Sequence, residues 1–428
     1  MAAMVPLDQA KALALEVIEI GDPVEAPLEA AHGRFLAEPL RATRSLPNFD
    51  NSAMDGYALK SADTSGANRD RPARMRVIEI IYAGMLPKGS IGTSQAARIF
   101  TGAPIPKGAD CVVRQEATRA EGDEVQVFVE AARQSNIRRV GEELPLGERV
   151  FSAGQRLDAY ALALLASLGL ERVAVRRQPT VSILTVGDEL VPPGRPAAGH
   201  QIYNSNAALL GALSVEAGAR VILSAHAGDE EAALRSALEK MAPSADLLIT
   251  AGGASVGDKD LVKRVLRALG GVTVFDGVAL KPGKPAGVVM LDKLPILILP
   301  GNPGAAAVAF DQLARAMLLK RQGVTEIRQR LRVSLGSSQH KQAGLTYLLS
   351  AKLRQDDDGT RATATIRPQG SGQLLQNVGA DGWVVLPSGR ADFAAGEEAA
   401  MELFARPTFD AVPPSRDESS ADGRSASR

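Results

Sequence analysis

The sequence predicts an α/β fold combined with β-rich parts, and three observations support this. Between residues 180 and 320, strand-like and helix-like patterns alternate regularly, which is typical of a doubly wound α/β domain. Short β-rich runs separated by Gly/Pro turns lie on both sides of that segment. The chain has 428 residues, enough for several domains of roughly 150 residues each. We therefore predict a doubly wound α/β domain, a helical linker region, an inserted β-rich domain and a C-terminal β-barrel.

The first 178 residues form a predicted helical domain that is interrupted by a β-rich insertion. Apolar residues recur at near-helical spacing over residues 6–20, and Gly21-Asp22-Pro23 ends this amphipathic helix. Residues 75–82 and 125–129 are strand-like, and residues 46–137 form the predicted inserted domain. The apolar stretch 160–170 predicts a buried helix, and residues 172–175 predict a strand. Residues 1–45 and 138–178 together make up the N-terminal linker domain.

The α/β domain is predicted over residues 179–322. Its strands are expected at 181–186, 221–225, 247–250, 272–275, 288–291 and 296–299. Its helices are expected at 206–217, 229–241, 260–269 and 304–320, with Asp229 as the N-cap of the second helix. Residues 323–410 form the predicted β-barrel, with strands at 331–335, 347–353, 362–366 and 383–386. Residues 411–428 have no periodicity and are rich in Ser, Asp, Arg and Pro, which predicts a disordered tail.

Composition excludes several classes of function. The chain carries 49 Lys and Arg against 49 Asp and Glu, so no global field attracts it to nucleic acid or to a membrane. Aromatic residues make up 4% of the chain, which leaves little material for stacking bases. One cysteine, Cys111, and four scattered histidines form no zinc pattern. No signal peptide or long apolar span is present, so we expect a cytoplasmic protein.

The predicted binding site lies in glycine-rich loops that follow strands of the α/β domain. These loops span residues 187–189, 252–258, 281–285 and 300–304. Ligands of open α/β sheets bind beyond the carboxyl ends of the strands, so parallel strands would bring the loops to one edge. Glycine lets backbone approach a ligand closely, and a loop that enters a helix offers free N–H groups to an anion. The binding residues predicted in these loops are Gly252, Gly253, Ser255, Gly257, Lys281, Lys284, Pro300, Asn302 and Pro303.

Charged residues in the same loops indicate phosphoryl or adenylyl chemistry. Lys281 and Lys284 are flanked by prolines and suit an oxyanion. The acceptor-only groups that are able to hold Mg²⁺ are Asp188, Glu189, Asp258 and Asp260. The segment is no P-loop and no dinucleotide fingerprint, which argues against an NTPase or a nicotinamide enzyme. The alternatives are ordinary ones: each loop is only a turn, the lysines are solvated, and Asp229 only caps its helix.

Six motifs occur in an order that resembles the molybdopterin molybdenumtransferase family, which includes MoeA and the E domains of gephyrin and its plant counterpart. The most specific motif is Leu46-Pro-Asn-Phe-Asp-Asn-Ser-Ala-Met-Asp-Gly-Tyr-Ala58. The others are Thr101-Gly-Ala-Pro104, Gly187-Asp-Glu-Leu190, the 252–260 loop, Lys281-Pro-Gly-Lys-Pro285 and Pro300-Gly-Asn-Pro303. The match covers about residues 5 to 405.

This resemblance implies a four-part subunit that forms a homodimer, with the α/β domain as the molybdopterin-binding domain. The implied reaction inserts molybdate into adenylylated molybdopterin with Mg²⁺-dependent loss of AMP. By motif position, the family's functional residues fall on Asp55, Thr101, Arg138, Glu189, Asp229, Asp260, Lys281 and Lys284. Asp55, Thr101 and Arg138 would act across the dimer interface. Other proteins of molybdenum cofactor synthesis are further implied partners.

Two departures from the family pattern define a rival hypothesis. Glu143 stands where the family usually has aspartate, so a carboxylate is retained on a longer arm and is kept as a catalytic candidate. Leu345 and Ser350 stand where arginines are usual, and Arg367 or Ser371 are candidates for compensating the loss. The leading hypothesis is a molybdenum insertase. The rival is a non-catalytic relative that binds molybdopterin or serves as a scaffold.

Overall fold

The computed structural model of the protein describes residues 4–253, 260–355, 362–366 and 370–404. These residues belong to two compact units. The N-terminal unit is Asp22–Arg177, and the second unit joins Met1–Gly21 to Gln178–Arg428. The predicted tail, residues 411–428, lies outside the described residues. The predicted boundaries near residues 45 and 137 lie inside the N-terminal unit, and the four-part division stays a prediction.

The helices of the described residues are α1 Leu7–Glu16, α2 Ala159–Ser167, α3 Ser205–Glu216, α4 Glu231–Met241, α5 Leu261–Ala268, α6 Pro303–Ala309 and α7 Arg315–Arg321. The strands of the N-terminal unit are β1 Pro23–Pro27, β2 Leu40–Arg41, β3 Asn51–Ser52, β4 Gly56–Leu59, β5 Ala73–Ile81, β6 Gln95–Ile99, β7 Cys111–Arg114, β8 Thr118–Glu121, β9 Glu124–Val127, β10 Ile137–Arg138, β11 Arg149–Phe151 and β12 Arg172–Arg176. Those of the second unit are β13 Thr180–Val186, β14 Leu190–Val191, β15 Ile202–Tyr203, β16 Arg220–Ala227, β17 Leu247–Ala251, β18 Val272–Asp276, β19 Leu280–Lys281, β20 Gly287–Leu291, β21 Leu294–Leu299, β22 Arg330–Leu335, β23 Gln339–His340, β24 Thr346–Gln355, β25 Ala362–Ile366, β26 Gly382–Leu386, β27 Asp392–Phe393 and β28 Glu398–Leu403.

The N-terminal unit contains a six-stranded sheet and a separate helical core. The sheet has the order β7-β4-β6-β5-β9-β8, and only β5 and β6 pair in parallel. Consecutive residues of β4 enter different clusters: Leu59 packs with one, Ala58 with the other. This alternation follows from the two-residue period of a strand. The second core forms where Leu165 of α2 packs against Val173 and Val175 of β12.

The predicted doubly wound α/β domain is confirmed. Its sheet has the order β16-β13-β17-β21-β20-β18, and the first four strands are parallel. Every residue of β13 is buried because helices cover both faces. Ile183 points to the face covered by α1, α3 and α6, whereas Leu184 points to the face covered by α4 and α5. Strand β18 is antiparallel to β20, and β20 is antiparallel to β21, so β18 runs in the direction of the parallel strands.

The main differences from the predicted helices concern α4, the helix predicted over 304–320 and α1. Helix α4 begins at Glu231 with Glu230 at its N-cap position, so the prediction that Asp229 caps this helix is wrong. Asp229 instead accepts a hydrogen bond from the backbone N–H of Asp188, a contact that local sequence does not reveal. The long predicted helix over 304–320 is divided by a π-helical turn at Phe310–Ala314. Helix α1 ends at Glu16 rather than near residue 20.

The predicted C-terminal β-barrel is also confirmed. Strands β24, β25, β22, β28 and β26 pair in sequence, and β26 pairs again with β24, which closes the barrel. Strand β19 of the α/β segment adds to β24, with Lys281 opposite Tyr347. The sheet of the barrel therefore continues into the loop that carries the predicted lysines. None of the helices in the described part of the chain is long and apolar enough to cross a membrane.

Candidate functional site

The glycine-rich loops lie beyond the carboxyl ends of β13, β17, β18 and β21. Because β18 runs parallel to the other three, the loop that carries Lys281 lies at the same edge as the loops that carry Gly187, Gly252 and Gly301. These loops line two cavities. The glycine-loop cavity, about 1010 Å³, is lined by Gly187, Glu189, Asp229, Gly252, Gly253, Gly301, Asn302 and Pro303 among others. The lysine cavity, about 820 Å³, is lined by Lys281, Lys284, Lys341, Tyr347 and Ser371 among others.

The two cavities share three lining residues. Pro285, Pro300 and Asn302 border both of them. The amide of Asn302 donates a 2.9 Å hydrogen bond to the Ser371 hydroxyl, which connects the α/β loop to the barrel side. A ligand with two parts is therefore able to place one part in each cavity, with these residues at the junction.

Close backbone packing forms the floor of the glycine-loop cavity. Gly252 has a φ of +93°, and a Cβ there would overlap with the carbonyl oxygen of Val186. The Asn206 side-chain amide donates to the Gly301 carbonyl at 2.7 Å and holds the neighbouring loop. The glycines are needed here because any side chain would separate these backbones. Ser255 and Gly257 were predicted in the same loop and lie outside the described residues.

Two carboxylates, Glu189 and Asp229, line this cavity, and a third, Asp188, is hydrogen-bonded to Asp229. The backbone N–H of Asp229 donates to Asp188 Oδ1 at 3.0 Å, and the backbone N–H of Asp188 donates to Asp229 Oδ2 at 3.4 Å. The carboxylate of Glu189 folds back over Gly187, which has a φ of +148°. All three side chains belong to exposed residues. The structure thus brings Glu189 and Asp229 to the cavity and places Asp188 beside Asp229.

Asp260 forms a different set of contacts from Asp188, Glu189 and Asp229. Its Oδ1 accepts the backbone N–H of Lys263 at 3.1 Å, which caps α5, and its Oδ2 lies 2.6 Å from Lys263 Nζ. The same ammonium lies 2.5 Å from Asp276 Oδ1. Burial opposes the charge on Lys263, but the two carboxylates outweigh burial and raise the pKa of Lys263. One oxygen of Asp260 therefore caps α5, and the other lies against the Lys263 ammonium.

The predicted metal ligands do not all meet within the described residues. Asp258 lies outside them, and no group of three or more His, Cys, Asp or Glu side chains in residues 4–253, 260–355, 362–366 and 370–404 is arranged to hold a metal ion. The exposed carboxylates of Asp188 and Glu189 are the donor type that Mg²⁺ prefers. The metal set stays a prediction.

The lysine cavity has a cationic wall and an apolar wall. Lys281 and Lys284 are exposed, and Lys281 Nζ lies 5.2 Å from the centre of the Tyr347 ring. Strand pairing of β19 with β24 holds Lys281 at the barrel. The described lining of this cavity contains no carboxylate that would offset the positive charges of the lysines. The apolar wall includes Leu345 and Leu349.

Leu345 and Ser350, which stand where the family usually has arginines, lie in different surroundings. Leu345 is buried and lines the lysine cavity, so its side chain replaces a cation with an apolar surface. Ser350 is fully buried, and its hydroxyl donates to the Gln376 carbonyl at 2.7 Å. Since β24 alternates faces, Tyr347 and Leu349 line the cavity and Ser350 does not. Ser371 lines it as suggested, whereas Arg367 lies outside the described residues.

Sequence reasoning missed Lys341. This lysine is 3% exposed and lines the lysine cavity. Its Nζ donates to the Leu345 carbonyl at 2.9 Å and lies 5.2 Å from the centre of the Tyr347 ring. No motif surrounds it, so only the closure of the barrel brings it to the site. Sequence reasoning also did not predict Asn206 as a residue that holds a site loop. Its place in the first turn of α3, which begins at Ser205, was the local signal that could have indicated it.

The predicted residues of the N-terminal unit partly cluster. Asp55 Oδ1 accepts both the backbone N–H and the hydroxyl of Thr101, each at 2.8 Å. These two hydrogen bonds, together with the nearby Arg98, hold the pKa of Asp55 below its ordinary value. Arg138 is exposed on β10, opposite Asn51 of β3. Glu143 is exposed, and its backbone N–H donates to the Leu46 carbonyl.

Comparisons with known proteins agree with this arrangement. Three family models match: the MoeA N-terminal region (domains I and II) over residues 5–169, a probable molybdopterin-binding domain over 182–320 and the MoeA C-terminal region (domain IV) over 332–404. The molybdopterin molybdenumtransferase of Haemophilus influenzae is 34% identical over 94% of this chain and 99% of its own length. Molybdopterin molybdenumtransferase 2 of Mycobacterium tuberculosis is 39% identical over 73% of this chain and 78% of its own length.

A solved structure extends the similarity to the fold. The crystal structure of the molybdopterin biosynthesis MoeA protein of Pyrococcus horikoshii OT3 aligns with a TM-score of 0.79 at 29% identity, over 94% of this chain and 100% of its own length. The three family models together span both the α/β segment and the barrel, and the Haemophilus relative and this structure each cover 94% of the chain. The chain therefore belongs to the MoeA family of molybdopterin molybdenumtransferases.

Proposed function

We propose that this protein is a Mg²⁺-dependent molybdopterin molybdenumtransferase that inserts molybdate into adenylylated molybdopterin and releases AMP. The observation that carries the proposal is the pair of joined cavities, one with glycine loops and one with lysines. The reaction needs a site for a nucleotide phosphate and a pterin beside a site for a second oxyanion. The curated relatives that bear this name support the same reaction.

Each cavity has a role in this proposal. The backbone of Gly252, Gly253 and the 300–303 loop, with Ser255 and Gly257, holds the adenylylated substrate. Lys281 and Lys284 hold molybdate and neutralise its charge. Pro300 and Pro303 shape the loop, and Asn302 lies at the junction. Asp229 orients Asp188 through the paired backbone hydrogen bonds.

The carboxylates would hold the metal ion. In this proposal Asp188, Glu189, Asp258 and Asp260 are the ligands of Mg²⁺, with Asp188 and Glu189 offering exposed oxygens. Bound Mg²⁺ would polarise the pyrophosphate link of the adenylate. Asp260 also fixes the start of α5, because it caps that helix and pairs with Lys263.

The assay measures AMP release from adenylylated molybdopterin in the presence of Mg²⁺ and molybdate. We expect release by the natural protein, a large loss in Lys281→Met and no change in Lys352→Met, an exposed barrel lysine outside the lysine cavity. Tight binding of the adenylate with no release above that of Asp260→Asn would contradict the proposal. That result would favour the non-catalytic scaffold, for which Leu345 at an expected arginine position is the supporting observation. Comparing molybdate with tungstate in the same assay shows which oxyanion the cavity prefers.

The same assay tests the proposed homodimer, in which Asp55, Thr101 and Arg138 of one subunit serve the site of the other; Glu143 stays a catalytic candidate. Mixing Asp55→Ala with Lys281→Met protein creates heterodimers that each hold one complete site, and about a quarter of the natural activity is expected from random pairing. If the mixture stays inactive although heterodimers form, the shared site is wrong. We also propose that the protein has no nucleic-acid or membrane partner, since its net charge is zero. A cytoplasmic location is proposed because the sequence has no long apolar span, and cell fractionation tests it.

A further inference from the structure

Lys341 differs in its partners from four other partly buried cations of the second unit. Lys263, Arg315, Arg321 and Arg328 each form an ion pair with a carboxylate. Lys341 is 3% exposed and forms no ion pair with any carboxylate in the described part of the chain. Its Nζ instead donates to the carbonyl oxygens of Leu345 at 2.9 Å and Gln342 at 3.4 Å.

A buried ammonium without a carboxylate is costly unless something else neutralises it. Desolvation lowers the pKa of Lys341, which reports the same cost. The Tyr347 ring at 5.2 Å and the Phe393 ring at 6.0 Å offer only weak compensation. An ammonium has three donors, and the two carbonyls use two of them. One donor and one positive charge therefore remain for a ligand.

The location of Lys341 indicates what that ligand is. The residue lines the lysine cavity, as do Lys281 and Lys284. Lys281 Nζ and Lys341 Nζ lie at the same 5.2 Å distance from the centre of the Tyr347 ring, so the two charges flank one side chain of the cavity wall. No carboxylate is present in the described lining to neutralise them. A cavity with three ammonium groups suits a dianionic oxyanion.

We propose that Lys341 is a further binding residue for the molybdate held in the lysine cavity, and that the bound oxyanion neutralises its ammonium in place of a protein carboxylate. This inference rests on the proposed function, because it assigns molybdate to this cavity. With Lys341 counted, the cavity has three cations even though Leu345 stands where the family usually has an arginine.

The test is calorimetric titration of the full-length protein with sodium molybdate alone. Lys341→Met is expected to weaken binding by about tenfold or more, the loss typical of one charge-assisted hydrogen bond. Lys341→Arg should retain most of the affinity because it keeps the charge. The matched control Lys352→Met removes an exposed lysine of the same barrel and should bind like the natural protein. Natural affinity in folded Lys341→Met protein would overturn the proposal.

A second measurement covers the case in which Lys341→Met does not fold. In protein labelled at lysine side chains, the NMR resonance that is absent from Lys341→Arg belongs to Lys341, and molybdate should shift it. A resonance that stays in place at saturating molybdate would overturn the proposal. The two proposals fail separately: absent AMP release with Lys341-dependent molybdate binding contradicts only the proposed function, whereas AMP release with Lys341-independent binding contradicts only this inference.

Discussion

At the residue scale, Thr101 has the largest effect on the pKa of the Asp55 carboxyl group. The backbone N–H of Thr101 is the main cause of its lowered pKa, and the hydroxyl of Thr101 adds to it. Both bonds favour the charged form, so Asp55 stays ionised over the whole neutral range. The sequence places these residues 46 positions apart, and only the resemblance to a family, not any local pattern, brought them together in the prediction.

Thr101→Val tests this control. The substitution removes the hydroxyl bond and leaves the backbone bond, so the pKa of Asp55 should rise toward, and remain below, its ordinary value of 3.8. A carbon-detected NMR titration of the Asp55 carboxyl measures the change. Because folding lowers the pKa of Asp55, its ionised carboxylate stabilises the folded protein at pH values above the ordinary pKa. This contribution to the free energy of unfolding is lost as the pH falls through the lowered pKa of the folded state. Thr101→Ser keeps both bonds and should titrate like the natural protein; an identical titration in Thr101→Val would contradict the prediction.

At the element scale, Asp229 and Asp260 each precede a helix but form different contacts. Asp260 caps α5, as its position before an apolar periodic segment suggests. Asp229 precedes α4 in the same way but turns to Asp188, which lies 41 positions earlier in the chain. The local signals of the two residues are alike. The long-range partner decides between them: the predicted cap at Asp229 is wrong, whereas Asp260, predicted as a site residue and not as a cap, caps its helix.

Substitutions of Asp260 separate its cap from its ion pair. Asp260→Ala loses both and should lower the free energy of unfolding by about 1–2 kcal/mol more than Asp260→Asn, because asparagine still caps a helix. The carboxylate partners raise the pKa of Lys263, so its stabilisation is complete below the ordinary value of 10.5 and is lost as the pH rises through the raised one. The difference between natural protein and Asp260→Asn should therefore shrink above that pH. Urea unfolding at several pH values measures both effects, and equal stabilities of the two variants would contradict the assignment.

At the scale of the whole second unit, a mostly buried ion network centred on Arg328 joins the α/β helices to the barrel. Arg328 pairs with Asp311 of the π-helical turn at 2.6 Å, with Glu326 at 3.1 Å and with Glu402 of β28 at 3.6 Å. The indole N–H of Trp383 in β26 donates to the same Asp311 at 2.8 Å. This network and the pairing of β19 with β24 hold the two walls of the lysine cavity together.

Arg328→Met should therefore destabilise this unit strongly. Removing one member leaves buried carboxylates without their cation, which typically costs about 3–5 kcal/mol. Trp383 is the single tryptophan of the chain, so its fluorescence reports unfolding at the junction. The matched control Arg332→Met breaks a pair whose side chains are 88% and 71% exposed, and it should cost at most about 1 kcal/mol. Equal midpoints for the two variants in denaturant would contradict a joining role for Arg328.

The sequence by itself determined the fold class, the order of the loops at the sheet edge and the family resemblance. The fold class and the loop order follow from apolar periodicity and from glycine and proline at strand ends, which are local signals, whereas the resemblance rests on the six motifs. The tertiary structure decided that Lys341 enters the lysine cavity, that Leu345 forms its apolar wall and that Asp229 turns to Asp188. Those outcomes depend on barrel closure and on contacts between distant segments. A residue without a local pattern, such as Lys341, acquires its surroundings only when strands far apart in the chain pair, because burial and the distances between charges are properties of the folded chain.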